Sequence, residues 1–250
     1  MTSPESVLQV LHDAVTAVAE ALEGLEDWGP SGRRADQYQS DVIADAAVLA
    51  VLERAGFGAF SEESGLHHPE RPVRVVVDPV DGSTNASRGL PWWATSLCAL
   101  DREGPLAAVV ANQAVGSRFT AVRGGGAERD GRPISPTGCT TMGSAMVAFS
   151  GYPRTHLGWN QFRSLGAAAL DLCAVACGSL DAFIDCAPQS LAPWDYLGAM
   201  LVCTEAGAQV AEASGRDLVV SEGSERRTIV AAATPDLLGQ AVAGRGLLSQ

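Results

Sequence analysis

The chain has no lysine. Its 17 basic residues are all arginines, and 29 acids leave a formal charge of −12. That balance argues against nucleic acid as a general partner, because phosphate backbones demand a positive face. The arginine-only usage reads as codon bias rather than as chemistry. Aromatic residues are scarce at 6%, while apolar residues total 46%, so the core has to be built mainly from Ala, Val and Leu. No apolar run approaches the length that crosses a bilayer, and the first five residues lack a charged leader region, so a cytoplasmic protein without membrane contact is expected. The six cysteines show no zinc-type spacing. Cys173 and Cys177 lie one helical turn apart without histidine partners, and free buried thiols are expected. Gly124-Gly125-Gly126 lacks the Gly-Lys-Ser/Thr ending of a phosphate loop and sits between two short β-like runs, which predicts a hairpin turn.

What is present is concentrated in residues 78–85: Asp78, Pro79, Val80, Asp81, Gly82, Ser83, Thr84, Asn85. The apolar, β-branched run before them predicts a buried strand that delivers two acids to its C-terminal end. Pro79 is expected to end that strand, because it cannot donate to a ladder. Gly82, Ser83 and Thr84 then offer free backbone N–H groups at a helix start, a natural anion site. Carboxylates beside such a nest suit divalent-metal chemistry on a phosphate ester.

Periodicity predicts helices over 7–25 and 40–54, the second capped by Ser40 or a neighbour. Strands are expected near Ala59 and over 73–77, 95–100, 105–112 and 119–122, the last followed by a return strand. From Ser144 onward strands and helices alternate: a strand over 145–149, a helix over 166–177, a strand over 182–184, a helix over 195–205, a strand over 228–233 and a helix over 235–243. This pattern predicts an α/β protein, with an α+β half over 1–136 followed by an α/β half over 137–250. The expected N-terminal half carries most candidate metal ligands, and the C-terminal half carries Asp195.

Three more segments join the octet: Phe60-Ser61-Glu62-Glu63-Ser64-Gly65; the apolar stretch 166–178 running on to Asp185; and Pro193-Trp194-Asp195. Together, and in this order, they resemble the inositol monophosphatase family of Mg²⁺-dependent, lithium-sensitive phosphomonoesterases. The resemblance implies a layered α-β-α-β-α sandwich, two or three Mg²⁺ ions, inhibition by Li⁺, and a homodimer. It implies that Asp78 bridges two ions, with Glu62 and the Val80 carbonyl on the first and Asp81 and Asp195 on the second. A third, weaker ion falls near Glu62. The Gly82 and Ser83 amides would grip the phosphate, and the Ser83 hydroxyl would orient the attacking water. On the base side Asp41 matches the family's acid and Arg34 or Arg33 its basic residue. The threonine of that upstream pattern is absent here, and Asp45, one helical turn on, is the competitor.

Asp185 falls where inositol-phosphate-selective members place a substrate-contacting carboxylate, although the segment from it to Trp194 is longer than usual. Asn85 is present, and Ala86 stands where the family usually has Phe. Hydrolysis of inositol 1-phosphate is the first expectation. Histidinol phosphate or fructose 1,6-bisphosphate is the alternative, and a non-catalytic scaffold is the alternative of a different class. Glu63 is expected at the surface or behind the metal ligands, Glu205 as a helix end, and Asp171 as a buried hydrogen-bonded residue without a catalytic role. The His67-His68 pair reads as part of a loop.

Overall fold

The computed structural model describes residues 3–220, 223 and 225–247; Met1 and Thr2, at the start of the N-terminal stretch, lie outside them. In chain order the elements are α1 (Pro4–Leu22), α2 (Gln39–Arg54), β1 (Gly58–Ser61), β2 (Gly65–His67), β3 (Arg74–Asp81), α3 (Ser83–Ser87), β4 (Ala94–Asp101), β5 (Gly104–Asn112), β6 (Arg118–Val122), β7 (Gly126–Arg129) and β8 (Arg132–Pro133). A short 3-10 turn at Met142–Ser144 leads into β9 (Met146–Ser150), β10 (Gln161–Arg163), α4 (Ala168–Ala176), β11 (Ala182–Asp185), α5 (Pro193–Ala206), β12 (Gln209–Glu212), β13 (Ile229–Ala232) and α6 (Pro235–Leu247).

The first eight strands form one sheet in the order β2-β1-β3-β4-β5-β6-β7-β8, and the last five form a second in the order β10-β9-β11-β13-β12. Side chains on a strand alternate between faces, so a strand buried on both sides feeds two cores. Val75 and Val77 of β3, Leu97 and Ala99 of β4, and Ala107 and Val109 of β5 pack with α1 and α2. Their neighbours Val76, Cys98, Ala108 and Val110 point the other way, into a core shared with α4 and α5. The small sheet repeats the pattern. Ala148, Phe183 and Ala231 join that same central core, while Val147, Phe149, Ile184 and Val230 face α6. The result is the α-β-α-β-α sandwich the resemblance implies. Ala-rich helices let α4 and α5 lie between the sheets: Gly198 has room only for hydrogen, since a Cβ there would sit 2.9 Å from Ser96 Oγ.

Pro79 does not end its strand. β3 continues to Asp81, because Asp78 pairs with Ser96 and Asp81 with Ala94, leaving two residues opposite Thr95. This is a β-bulge, a place where a sheet tolerates proline. Thr95 Oγ1 donates to the Pro79 carbonyl at 2.8 Å and closes it. The bulge matters because it changes which way Asp78 and Asp81 are aimed at the sheet's end. α2 starts one residue earlier than expected, with Tyr38 rather than Ser40 at its N-cap. Glu205 does more than end its helix: its two carboxylate oxygens accept the Gly124 and Gly126 N–H groups and pin the triple-glycine hairpin to α5. All six cysteines are free. Among the described residues no helix is long and apolar enough to cross a membrane.

Candidate active site

Five acids from four places in the chain are brought together at one end of the large sheet. Asp78 and Asp81 come from the bulged end of β3, Glu62 follows β1, Asp41 lies in the first turn of α2 and Asp195 in the first turn of α5. The local fold explains how each is held. Asp41 Oδ2 accepts the Tyr38 N–H at 2.8 Å, and Asp195 Oδ2 accepts the Ala192 N–H at 2.6 Å; each acid thereby caps its own helix. Asp81 Oδ2 accepts the Ala169 N–H at the start of α4, at 2.7 Å. Asp78 Oδ1 accepts the Val80 N–H across the bulge, at 3.1 Å. Helices α2, α3, α4 and α5 all begin here, and helix N-termini favour negative charge.

Burial overrides that favour. The Glu62 carboxyl is pushed up to about 8 by burial and then by Asp195, Glu63 and Asp41, against the pull of Arg34. Asp81 rises to about 8 through burial, in spite of the Ala169 N–H. Asp195 rises to about 7 through burial and the Asp81 charge, with Arg226 acting the other way. Asp78, 1% exposed, is raised by burial and by Glu62, Asp81 and Asp195. Each of these acids feels the charge of others in the set, and the pull of Arg34 and Arg226 is too weak to offset burial. Buried carboxylates without enough counter-charge are a donor set for hard cations such as Mg²⁺. Among the described residues, however, no three His, Cys, Asp or Glu side chains are gathered tightly enough to hold an ion as they stand. One oxygen each of Asp78, Asp81 and Asp195 is tied to a backbone N–H.

The base-side acids separate clearly. Asp41 feels the Ser83 hydroxyl, which lowers its carboxyl; burial, the larger effect, raises it to about 6. Ser83 Oγ donates to the Val80 carbonyl at 3.2 Å. Asp45 instead accepts the Ser61 hydroxyl at 2.5 Å, bracing α2 against β1. Gly82 caps α3 with φ +85°, and a Cβ there would lie 3.2 Å from the Gly166 and Trp92 carbonyls. Gly82→Ala is therefore expected to cost about 1–3 kcal/mol for left-handed backbone and crowding together. Urea unfolding measures this, and a stability unchanged within about 0.5 kcal/mol would contradict it.

Asp185 is placed differently from a residue at a cleft mouth. It has no exposed surface, its Oδ2 takes the Ser190 hydroxyl at 2.6 Å and its Oδ1 the Ala187 N–H at 3.1 Å. Arg245 Nε holds its backbone carbonyl at 2.5 Å. As the structure stands, both carboxylate oxygens are engaged within the 185–190 loop.

The profile described as "Inositol monophosphatase family" matches residues 5–245. The chain belongs to the inositol monophosphatase family. An inositol-1-monophosphatase of Mesorhizobium japonicum is 33% identical over 207 residues, covering 74% of this chain and 75% of its own. A fructose-1,6-bisphosphatase of Pyrococcus furiosus is 29% identical over 202 residues, covering 79% of each. In fold, a Pyrococcus horikoshii protein described as having similarities to inositol-1 monophosphatase superposes with a TM-score of 0.87 at 24% identity, over 97% of this chain and 99% of that one.

In this inositol monophosphatase family member further side-chain contacts brace the segments around the acids. Glu63 Oε2 is gripped by Arg34 at 2.7 Å and by the Gln37 amide, tying the 31–38 loop to the end of β1. Asn85 Nδ2 donates to the Trp92 and Leu165 carbonyls, both at 2.7 Å, and so joins the turn after β3 to the approach to α4. Trp92 Nε1 donates to Asp171 at 2.9 Å, and Trp93 packs edge-on against Trp28. His67 and His68 lie away from the acids: His67 meets Ser64, and His68 pairs with Glu53.

Proposed function

We propose that the protein hydrolyses a small phosphate monoester in a Mg²⁺-dependent reaction, with inositol 1-phosphate as the first substrate and Li⁺ as an inhibitor. The observation that carries this reading is the set of acids at one end of the large sheet beside the Gly82-Ser83 turn, with Asp41, Asp78 and Asp81 buried and Glu62 and Asp195 half-buried. Glu62, Asp78, Asp81, Asp195 and the Val80 carbonyl would hold two ions, with a third near Glu62. Bound there, such ions lower the pKa of water and neutralise charge on phosphoryl and leaving oxygens.

The chain's own groups do the rest. The backbone N–H groups of Gly82 and Ser83, at the start of α3, bind phosphoryl oxygens. The Ser83 hydroxyl, in reach of Asp41, fixes the position of the attacking water, and Asp41 receives its proton. Tyr38 N–H keeps one Asp41 oxygen in place, so proton transfer falls to the other. Asp185 holds the 185–190 loop behind Asp195 and acts as a positioning residue in this mechanism. Histidinol phosphate and fructose 1,6-bisphosphate stay in the same class. No observation favours the scaffold reading, and the chain keeps Glu62, Asp78, Asp81 and Asp195, the acids a phosphatase of this kind would need. A homodimer is carried on the family resemblance alone.

The electrostatics supply a test. Unfolded carboxyls titrate near 4, whereas Asp41, Asp195, Glu62 and Asp81 sit at about 6, 7, 8 and 8 in the metal-free fold. Between those limits the folded chain holds more protons than the unfolded one, so stability falls as pH rises. In EDTA, Tm should drop between pH 5 and pH 8. Added Mg²⁺ should raise it again, and by more at pH 8, where it competes with fewer protons. A Tm that ignores both pH and Mg²⁺ would overturn the metal reading.

A further inference from the structure

Beside Asp81 and Asp195 a cleft of about 210 Å³ opens between the sheets, walled in part by Phe149, Ser164, Leu191 and Asp171. Asp171 is a side chain the mechanism does not use. It lies in the first turn of α4, is only 1% exposed, and still contributes to the cleft wall. Its Oδ1 accepts the Trp92 indole N–H at 2.9 Å. Among the described residues no donor reaches its Oδ2. Oδ2 is not among the buried unpaired atoms, so it meets the open space of the cleft, where a ligand's donor can reach it. Holding the indole takes one oxygen of Asp171 and leaves the other to the cleft.

The cleft ends at Asp81 and Asp195, on the side where the phosphoryl group is proposed to sit. Its remaining volume therefore faces the alcohol part of the ester. We propose that Asp171 is a specificity-determining residue whose free oxygen accepts a hydrogen bond from a hydroxyl or ammonium group of that alcohol. The inference rests on the phosphatase reading above. Trp92 sets the angle of the carboxylate, and the Asn85 bond to the Trp92 carbonyl holds Trp92 in turn.

The test is a ratio of kcat/KM values measured on one preparation, so that loss of folded enzyme cancels. Inositol 1-phosphate supplies hydroxyls, histidinol phosphate an ammonium, and 4-nitrophenyl phosphate neither. Asp171→Asn keeps an acceptor for Trp92 and removes the charge; Asp171→Leu removes both. In each variant the ratio of the donor-bearing ester to 4-nitrophenyl phosphate should fall about tenfold or more, mainly through KM. Whichever ester loses more names the donor. An unchanged ratio, or equal loss on all three esters, overturns the proposal and leaves Asp171 as a prop for Trp92. A wild-type protein that releases phosphate from none of them defeats the phosphatase reading itself, which is a different result.

Discussion

Asp78→Asn is expected to abolish the proposed Mg²⁺-dependent turnover and to leave the protein folded. Asp78 is fully buried among the other acids, and burial and their charges push its proton affinity up. Its Oδ1 is committed to the Val80 N–H, an arrangement an amide oxygen can keep. The substitution therefore preserves the bulge and removes one negative charge from the proposed ion site. The loss of several kcal/mol of charge stabilisation corresponds to a fall of about 10³-fold or more in kcat. The same change relieves repulsion in the metal-free fold, so Tm in EDTA at pH 8 should rise while the Mg²⁺-induced increase disappears. Retained turnover together with a retained Mg²⁺ shift would remove Asp78 from the site.

Asp41→Asn should lower kcat by about 10²-fold or more with KM changed less than about threefold, as expected of a lost proton acceptor. The pH profile adds an independent sign. The Asp41 carboxyl sits at about 6 in the metal-free fold. Bound cations would draw it lower, so activity should fall on the acid side at or below about pH 6, and the variant should lose that limb. Asp45→Asn is the control. Asp45 is engaged with Ser61 between α2 and β1, so its loss should appear in unfolding rather than in kcat. The reverse outcome would exchange the two roles.

Much of this was legible in the sequence because short-range chemistry carried it. The paired acids of β3, the glycine at the start of α3 and the Pro-Trp-Asp opening of α5 each place a functional group through local backbone geometry. Strand and helix positions followed from apolar period, and the double-sided burial of β3, β4 and β5 from near-continuous Val and Ala runs. What pattern could not reveal depends on distant contacts. Pro79 was expected to stop β3, and only pairing with β4 shows the bulge that accommodates it. The choice between Asp41 and Asp45 turns on which acid reaches Ser83 across the sheet end. Asp185 is enclosed by its own loop and Ser190 rather than open at a cleft mouth, while Asp171 is buried and hydrogen-bonded as expected and in addition lines a cleft. No periodicity separates those two buried aspartates.

The account stands most directly on phosphate release measured with and without Mg²⁺, side by side on inositol 1-phosphate, histidinol phosphate, fructose 1,6-bisphosphate and 3′-phosphoadenosine 5′-phosphate. It predicts release that requires Mg²⁺, is inhibited by Li⁺ and is fastest on a monophosphate whose alcohol bears hydrogen-bond donors. Release that proceeds equally well in EDTA, or none from any of the four, would contradict it.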